Sequence, residues 1–429
     1  MRFADCEVAG AILTRRNLAI PSPGGFPIHD PREGQYPERT ILVGFAGRRP
    51  PTQVRASLDE LGRLVDTAGA VIVGELVQKR GAPTPATLFS KGKVEEIKGL
   101  VTATSADTIA CDDDLTPAQV RNLEKALDKK VVDRSEVILS IFAKHARTRE
   151  SRLQVEVAQL EYSLPRLRHM WKHLERLGGG IGTRGPGESQ LETDRRLARD
   201  RVSLLKRQLE VVEKERKVQR QSRADQFRVA IVGYTNAGKS TLFNALTRAS
   251  VRAEDRLFAT LDATTRRLVN EQRELLLLTD TVGFIRKLPH HLVASFRSTL
   301  AEVVEADLWL HVVDASDPGF RAQLANVEEV LATFGGGDST PRRAVLAFNK
   351  TDAVTDEALL YALPIEFPGS VQVSAQTGAG LKELRERLWE ERRSQRAAAA
   401  ARAAARRAGT LTSGRPPAPS RAAPTSRPR

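Results

Sequence analysis

The stretch VAIVGYTNAGKSTLFNAL, residues 229–246, combines glycines, a lysine and a hydroxyl residue at spacings that suit phosphate binding. It fits the pattern G-x-x-x-x-G-K-[ST] at Gly233, Gly238, Lys239 and Ser240. Glycines let successive backbone N–H groups turn inward, and with the N-terminus of the following helix they form an anion cradle. We therefore expect Lys239 to reach the β- and γ-phosphates of a nucleotide and Ser240 to bind Mg²⁺. The other loop residues expected to line the phosphates are Tyr234, Thr235, Asn236 and Ala237.

A second group of candidate residues follows the apolar run ELLLLTDTVGF, which predicts a strand. Asp280 comes at the end of this strand and is followed by Thr281, Val282 and Gly283. A carboxylate in this position can hold a magnesium-bound water, and the N–H group of Gly283 can contact a γ-phosphate. This motif extends the predicted nucleotide site to a second strand.

Two further strand ends predict which base is bound. The run RRAVLAFNKTD ends in Asn349, Lys350, Thr351 and Asp352, and the run VQVSAQTGAG supplies Ser374, Ala375 and Gln376. A carboxylate at Asp352 can accept from both the ring N–H and the exocyclic amine of guanine, whereas adenine does not present this pair. Backbone donors in the second run can meet the guanine oxygen. Four motifs in this order predict a site for GTP and GDP rather than ATP.

The segment RLFATLDATTRRL, residues 256–268, lies between the first two motifs. A segment in this place must be mobile and must offer a hydroxyl to Mg²⁺ when the γ-phosphate is present. Thr260, Thr264 and Thr265 are all candidates, and their spacing does not distinguish among them.

Two residues of the motifs predict how hydrolysis proceeds. Phe284 follows Gly283, where Ras-like enzymes carry a glutamine that orients water, so we expect slow hydrolysis until a partner completes the site. Asn236 lies inside the phosphate loop, and asparagine there in related GTPases accompanies a potassium ion that replaces the charge of an arginine finger. We therefore expect Mg²⁺ as a cofactor, and potassium as an activating ion.

Composition limits the class of protein. At 429 residues, 41% apolar and 28% charged, the chain suits a globular protein of two or three domains. No apolar run approaches the ~20 residues that a membrane span needs. Cys6 and Cys111 cannot make a disulfide framework, which fits a reducing compartment. We expect a monomeric, cytoplasmic protein without a membrane span.

The net charge of +14 suggests a polyanionic partner, and it is concentrated in two segments. Residues 392–429 contain ten arginines and no acid, and residues 144–220 contain nineteen basic and eleven acidic residues. The rest of the chain is slightly acidic. A basic segment with few aromatic residues suits structured RNA, where phosphates and shape dominate recognition.

The order of patterns predicts the domain organisation. Short β-branched runs at 41–45, 70–77, 107–111 and 130–132 alternate with helical patterns, which indicates a small parallel α/β domain. The predicted domains are a loose lead-in (1–40), this α/β domain (41–146), a helical hairpin (147–225), a GTPase domain (226–391) and a disordered Arg/Ala/Pro-rich tail (392–429). For the first part of the tail, RRSQRAAAAARAAARRA, the alternative is an extension of the last helix. The predicted fold class is α/β, a P-loop domain with a parallel-sheet core preceded by a small α/β domain and an antiparallel hairpin.

The hairpin is predicted from two apolar seams at heptad spacing, one from Leu153 to Leu174 and one from Leu191 to Val212. Pro165 interrupts the first seam and predicts a kink or a break just before it. The connecting loop, residues 178–187, holds six glycines and Arg184, more than a hairpin turn requires. Glycines permit close approach and arginine suits phosphate, so Gly182, Arg184 and Gly185 are candidate RNA contacts. A plain flexible spacer is the alternative.

The chain resembles the HflX family of ribosome-associated GTPases, in the Obg-HflX-like superfamily, over about residues 40–390. The most specific part is GGGIGTRGPGESQLETDRR at 178–196, directly ahead of the P-loop, and SKGKVEEI at 90–97 is similar as well. Ser189 stands where the family usually carries threonine, and Ala263 where proline is common. Neither departure touches a phosphate ligand.

The resemblance implies a GTPase that binds GTP and GDP, associates with the large (50S) ribosomal subunit, and helps to split or recycle stalled ribosomes. It implies that the glycine-rich loop faces ribosomal RNA. It also favours Thr260 as the switch threonine and Mg²⁺ ligand, with Phe258, Ala259, Leu261 and Asp262 lining the nucleotide. Catalysis would then depend on Lys239, Thr260, Gly283 and Asn236.

Other functions remain open from the residues alone. They are a ribosome-assembly GTPase that binds RNA, a metabolic phosphotransferase that uses the P-loop on a small substrate, and an RNA-binding scaffold with a structural nucleotide site. The phosphotransferase would need a second catalytic constellation, and the sequence offers neither a base with an orienting partner nor a substrate lid.

Overall fold

The computed structural model describes seven stretches of the chain, residues 37–166, 186–221, 226–247, 249, 257–287, 297–334 and 343–411. The chain divides into two compact units, Met1–Val212 and Glu213–Arg429. Within the described stretches no helix combines the length and the apolar character that crossing a membrane requires.

The first unit contains a four-stranded parallel sheet with the strand order β2-β1-β3-β4. Its strands are β1 (Arg39–Phe45), β2 (Val71–Gln78), β3 (Thr108–Cys111) and β4 (Lys130–Asp133). The four apolar runs of the sequence form these strands, so the predicted small parallel α/β fold is confirmed. Strand β1 begins at Arg39, inside the lead-in predicted for residues 1–40, because Thr40 and the residues after it are buried in the sheet.

Four helices of the first unit accompany this sheet. They are α1 (Pro51–Ala68), α2 (Lys91–Thr104), α3 (Pro117–Leu127) and α4 (Arg134–His145). Helices α1 and α4 pack together, as do α2 and α3. Thr116 and Gln119 form a reciprocal capping box at the start of α3, with Pro117 in the first turn, so free N–H groups at this helix end are satisfied.

A charged network lies buried between α1, β3 and α4. Arg134, 1% exposed, donates from Nη1 to Oδ1 of Asp112 at 2.7 Å and from Nη2 to Glu60. Ser57 donates to the other oxygen of Asp112 at 2.7 Å. The guanidinium therefore compensates two carboxylates that burial would otherwise penalise.

Two further helices, α5 (Arg149–Ser163) and α6 (Pro186–Gln221), carry the predicted seams. Leu153, Val157 and Leu205 form a buried cluster, which confirms their apolar contact. Helix α5 ends two residues before Pro165, where the break was predicted.

The predicted connecting loop is corrected at one end. Pro186 and Gly187 belong to α6, because proline suits the first turn of a helix, so the loop predicted for 178–187 stops at residue 185. The predicted RNA contacts Gly182, Arg184 and Gly185 lie outside the described residues.

The second unit contains a six-stranded sheet with the order β10-β9-β8-β5-β7-β6, parallel except for the pair β6–β7. Its strands are β5 (Phe227–Gly233), β6 (Thr264–Val269), β7 (Leu275–Asp280), β8 (Leu308–Asp314), β9 (Ala344–Asn349) and β10 (Val371–Gln372). Because β5, β7, β9 and β10 are parallel, all four motifs meet at the carboxyl edge of the sheet. The predicted fold of the GTPase domain is confirmed.

The helices of the second unit are α7 (Lys239–Thr247), α8 (Arg297–Glu305), α9 (Phe320–Phe334), α10 (Glu357–Glu366) and α11 (Leu381–Leu411). Helix α11 continues past residue 392, where the disordered tail was predicted to begin, so the alternative of an extended last helix holds as far as Leu411. Arg392 is 3% exposed, pairs with Glu274 and lies over the ring of Trp389. Alanine and arginine are strong helix formers, so the helix runs on to Leu411.

Candidate functional site

The phosphate loop connects β5 to the start of α7. Gly238 adopts φ 85°, and a Cβ atom there would collide with the side-chain amide of Asn349, so only glycine fits this position. Lys239, 6% exposed, donates from Nζ to the carbonyl oxygen of Tyr234 at 2.7 Å. The loop is thereby held in a tight turn around the lysine ammonium.

Burial lowers the pKa of Lys239 to about 8, while Asp280 raises it and Lys350 lowers it further. His311 on β8 is also buried, and burial together with the Lys239 charge lowers its pKa to about 4. The imidazole is therefore neutral at physiological pH. His311 was not singled out in the sequence, because a lone histidine in an apolar strand carries no motif.

The Lys239 ammonium leads us to expect that nucleotide binding depends on pH. A bound phosphate favours the charged lysine and raises its pKa above the value of about 8 in the free protein. Binding above that pH takes up a proton, so the dissociation constant for GDP should be constant below about pH 8 and should rise up to ~10-fold per pH unit above it. Calorimetry in buffers of different ionisation enthalpy measures both the affinity and the proton uptake.

A Lys239→Arg variant is the control for this pH dependence, because a guanidinium does not titrate in this range. Its GDP affinity, whatever its absolute value, should show no step near pH 8. A wild-type affinity that stays flat to about pH 9.5, without proton uptake, would contradict the assignment of the step to Lys239.

Three oxygen-bearing side chains meet beside the lysine. Ser240 Oγ lies 2.6 Å from Oδ2 of Asp280 and 2.7 Å from Oγ1 of Thr260. Oδ1 of Asp280 is buried and makes no hydrogen bond with any described residue, and burial raises the pKa of this carboxyl group. A hydroxyl pair with an unsatisfied buried carboxylate oxygen is a donor set that suits Mg²⁺.

The structure brings one of the three candidate threonines to this cluster. Thr264 and Thr265 lie in β6, opposite Asp280 and Thr279, and the hydroxyl of Thr265 bonds to that of Thr279 at 2.9 Å. Only Thr260 contacts Ser240 among the three. The segment predicted to be mobile over 256–268 therefore ends in a paired strand, because its second half completes the edge of the sheet.

The cleft at the phosphate loop gathers most of the predicted phosphate-binding residues. Its lining residues are Thr235, Asn236, Gly238, Lys239, Ser240, Thr241, Phe258, Ala259, Thr260, Thr281 and Gly283. Thr241 was not predicted, although its place after Ser240 at the start of a helix could have indicated it. The predicted residues of the phosphate motifs and the 256–268 segment that do not line this cleft are Gly233, Tyr234, Ala237, Leu261, Asp262, Asp280 and Val282.

The base-recognition motifs are joined to the phosphate loop by Asn349. Its Nδ2 donates to the carbonyl oxygen of Ala237 at 2.9 Å, and its Oδ1 accepts from the N–H of Ala375 at 3.0 Å. Lys350, with φ 61°, pairs with Asp314 at 2.7 Å. Asp352 is exposed in a short 3₁₀ turn, Thr351–Ala353, so its carboxylate is open to a base.

The last predicted motif lies directly after β10. Ser374 is buried and its Oγ accepts from the N–H of Thr377 at 3.0 Å, which shapes the turn, while Gln376 is exposed. Together with the phosphate loop, this turn and the Asn349 linkage form one continuous site at the carboxyl edge of the sheet.

Family models match most of the chain. Models described as "GTP-binding GTPase N-terminal", "GTP-binding GTPase Middle Region" and "50S ribosome-binding GTPase" match residues 55–143, 145–223 and 228–350. A GTP-binding protein from the hyperthermophilic archaeon Sulfolobus solfataricus, solved in complex with GDP, is 22% identical with a TM-score of 0.42, covering 82% of this chain and 98% of that one.

Curated relatives agree with these matches. The GTPase HflX of Lacrimispora saccharolytica is 50% identical over 377 residues, which are 87% of this chain and 88% of that protein. The GTPase HflX of Escherichia coli is 48% identical over 336 residues, or 78% of each chain. With a P-loop, a guanine motif and identity at this level, the chain belongs to the HflX family of GTPases and hydrolyses GTP.

Proposed function

We propose that this GTPase binds the large ribosomal subunit in its GTP form and splits or rescues stalled ribosomes. This proposal requires a conformational switch between the GTP-bound and GDP-bound forms. The observation that supports such a switch is the contact of Ser240 with both Thr260 and Asp280. One hydroxyl thus joins residues from two segments that a γ-phosphate and its magnesium would hold. Losing that phosphate would release both segments together.

Three observations support the proposed binding to the large ribosomal subunit. The family model matched to residues 228–350 is described as that of a 50S ribosome-binding GTPase. Residues 144–220 carry the basic excess that RNA phosphates favour. In helix α6 the arginines at 196, 199 and 207 are exposed, and Gly182, Arg184 and Gly185 just ahead of this helix are our proposed RNA contacts.

The roles we propose in hydrolysis follow from charge and reach. Lys239 neutralises the β- and γ-phosphates, and the N–H group of Gly283 donates to the γ-phosphate. Mg²⁺, when bound with the nucleotide, would be held by Ser240 and Thr260, and by Asp280 through water, and it would supply positive charge for the departing phosphate. Asn236 would hold a potassium ion that adds further charge.

The side chain of Phe284 supports a requirement for a partner in GTP hydrolysis. It is 3% exposed and offers no hydrogen-bonding group to an attacking water. Hydrolysis by the isolated protein should therefore be slow, and docking on the ribosome should supply the missing orientation of water.

Co-sedimentation with purified ribosomal subunits tests the proposal. Binding to the large subunit is expected with a non-hydrolysable GTP analogue and to be at least ~10-fold weaker with GDP, which corresponds to about 1.4 kcal/mol of coupling. Replacing Arg184 with alanine and deleting glycines within residues 178–185, ahead of α6, should each weaken binding. Arg80→Ala, which removes an exposed arginine of the first unit, should not. Equal binding in both nucleotides would reject the switch.

Single-turnover hydrolysis in the same samples separates the alternatives. Marked stimulation by ribosomes is expected, with faster hydrolysis in potassium than in sodium. Stimulation by immature subunits alone would instead favour a ribosome-assembly GTPase, and turnover that ribosomes leave unchanged would contradict the switch.

A further inference from the structure

The phosphate loop is bonded directly to the residues that follow Asp280. The N–H of Phe284 donates to the carbonyl oxygen of Gly233 at 3.1 Å, and the N–H of Thr235 donates to the carbonyl oxygen of Phe284 at 2.7 Å. These two bonds make a parallel bridge between Tyr234 and Phe284. The backbone at Phe284 is therefore fixed to the loop on both sides.

The side chain of Tyr234 adds a third bond to this junction. Tyr234 is 4% exposed, and its Oη accepts from the backbone N–H of Arg286 at 2.9 Å. Its carbonyl oxygen accepts from Nζ of Lys239. One residue of the phosphate loop thus holds the phosphate-binding lysine with its main chain and the segment beyond Phe284 with its phenol.

Gly283 lies immediately before this junction and is pressed against the loop. A Cβ atom at Gly283 would lie 2.7 Å from Cα of Thr235 and 2.8 Å from Nζ of Lys239. Small movements of the 283–286 segment therefore change where the N–H group of Gly283 stands relative to the lysine. Fixing the segment from its far side, at Arg286, limits those movements.

We propose that Tyr234 is a positioning residue for the γ-phosphate, acting through the hydrogen bond between its Oη and the N–H of Arg286. The inference rests on the proposed function, in which Gly283 donates to that phosphate. Tyr234 holds residues 283–286 in the position from which the N–H of Gly283 donates to the γ-phosphate. The segment is therefore already ordered before the nucleotide binds. GDP lacks the γ-phosphate, so its binding affinity does not depend on the position of this segment.

The test is a Tyr234→Phe variant, which keeps the buried ring and removes only the hydroxyl. We expect the affinity for a non-hydrolysable GTP analogue with Mg²⁺ to fall 3- to 10-fold, as for the loss of one hydrogen bond, with the GDP affinity within 2-fold of wild type. Hydrolysis should slow in parallel. Isothermal calorimetry measures both affinities, and thermal unfolding confirms that the variant is folded.

Tyr162→Phe is the matched control. Tyr162 is also buried and donates from Oη to Asp133 at 2.6 Å in the first unit, so it reports the general cost of losing a buried tyrosine hydroxyl. Its ratio of analogue to GDP affinity should equal that of wild type. An equal loss of both affinities in Tyr234→Phe, or no loss of either, overturns the proposal.

A Gly283→Ala variant separates this proposal from the function on which it rests. The added methyl group would displace the segment from Thr235, and the preference for the analogue over GDP should collapse. If Gly283→Ala keeps that preference, the proposed contact of Gly283 with the γ-phosphate fails. If Gly283→Ala loses the preference and Tyr234→Phe keeps it, the role of Tyr234 alone is wrong.

Discussion

Replacing Asp352 with asparagine is expected to change the preferred nucleotide from GTP to xanthosine triphosphate. A carboxylate accepts the two N–H donors on one edge of guanine, whereas an amide turns a donor toward one of them. Xanthine carries a carbonyl where guanine has its amine, so the amide regains a partner. With guanine bound, a donor that faces another donor loses its hydrogen bond and repels its neighbour, and GTP affinity should fall about 10³-fold or more.

The structure indicates that Asp352→Asn affects base recognition without disturbing the fold. Asp352 is exposed, and the linkage of the site to the phosphate loop passes through Asn349, which bonds to Ala237 and Ala375. The fold should therefore survive the change. Competition of GTP and xanthosine triphosphate against labelled GDP or xanthosine diphosphate measures the exchange of preference.

The control for Asp352→Asn is Glu357→Gln, which removes a neighbouring exposed carboxylate from the start of α10. It should leave the preference for GTP unchanged. If Asp352→Asn still prefers GTP, the carboxylate does not contact the base, and the guanine specificity must come from the turn at Ser374.

The convergence of the four motifs at one edge of the sheet was predictable from the sequence because each motif follows a parallel strand. Buried parallel strands appear as continuous apolar runs, and the residue after each run must lie at the same edge of the sheet. The predicted residues at Lys239, Asp280 and Asn349 accordingly meet within one site.

The choice among the threonines could not be made in this way. It depends on β6, an antiparallel edge strand whose sequence TTRRLV shows no clean alternation of apolar and polar residues. Once Thr264 and Thr265 are paired with β7, only Thr260 contacts Ser240. Register between strands of different direction is set by tertiary packing, which a single sequence does not display.

The charged network around Arg134 was also missed, for a different physical reason. Arginine is usually exposed, so an arginine at the start of a helix is read as a surface residue. Here two acids from distant parts of the chain, Glu60 and Asp112, surround it at the carboxyl edge of the first sheet. Long-range pairing of this kind leaves no periodic signal in the sequence.

Replacing Arg134 with methionine is expected to destabilise the first unit by about 3–5 kcal/mol. The variant keeps much of the side-chain volume but leaves Glu60 and Asp112, which are 3% and 1% exposed, without the guanidinium that compensates their charge. Hydrogen exchange of the amides in β1 and β3 reports the stability of this unit within the full chain. Protection there should fall by about 10²- to 10⁴-fold, since 1.36 kcal/mol corresponds to a factor of ten.

Arg55→Met provides the contrast that isolates burial as the cause. Arg55 also pairs with two carboxylates, Asp59 at 2.8 Å and Glu75 at 2.9 Å, but its side chain is 64% exposed and water screens both pairs. Its loss should leave the amide protection in β1 and β3 close to that of wild type. If Arg134→Met were as mild as Arg55→Met, the pairing of Arg134 with Glu60 and Asp112 would not be what stabilises the first unit.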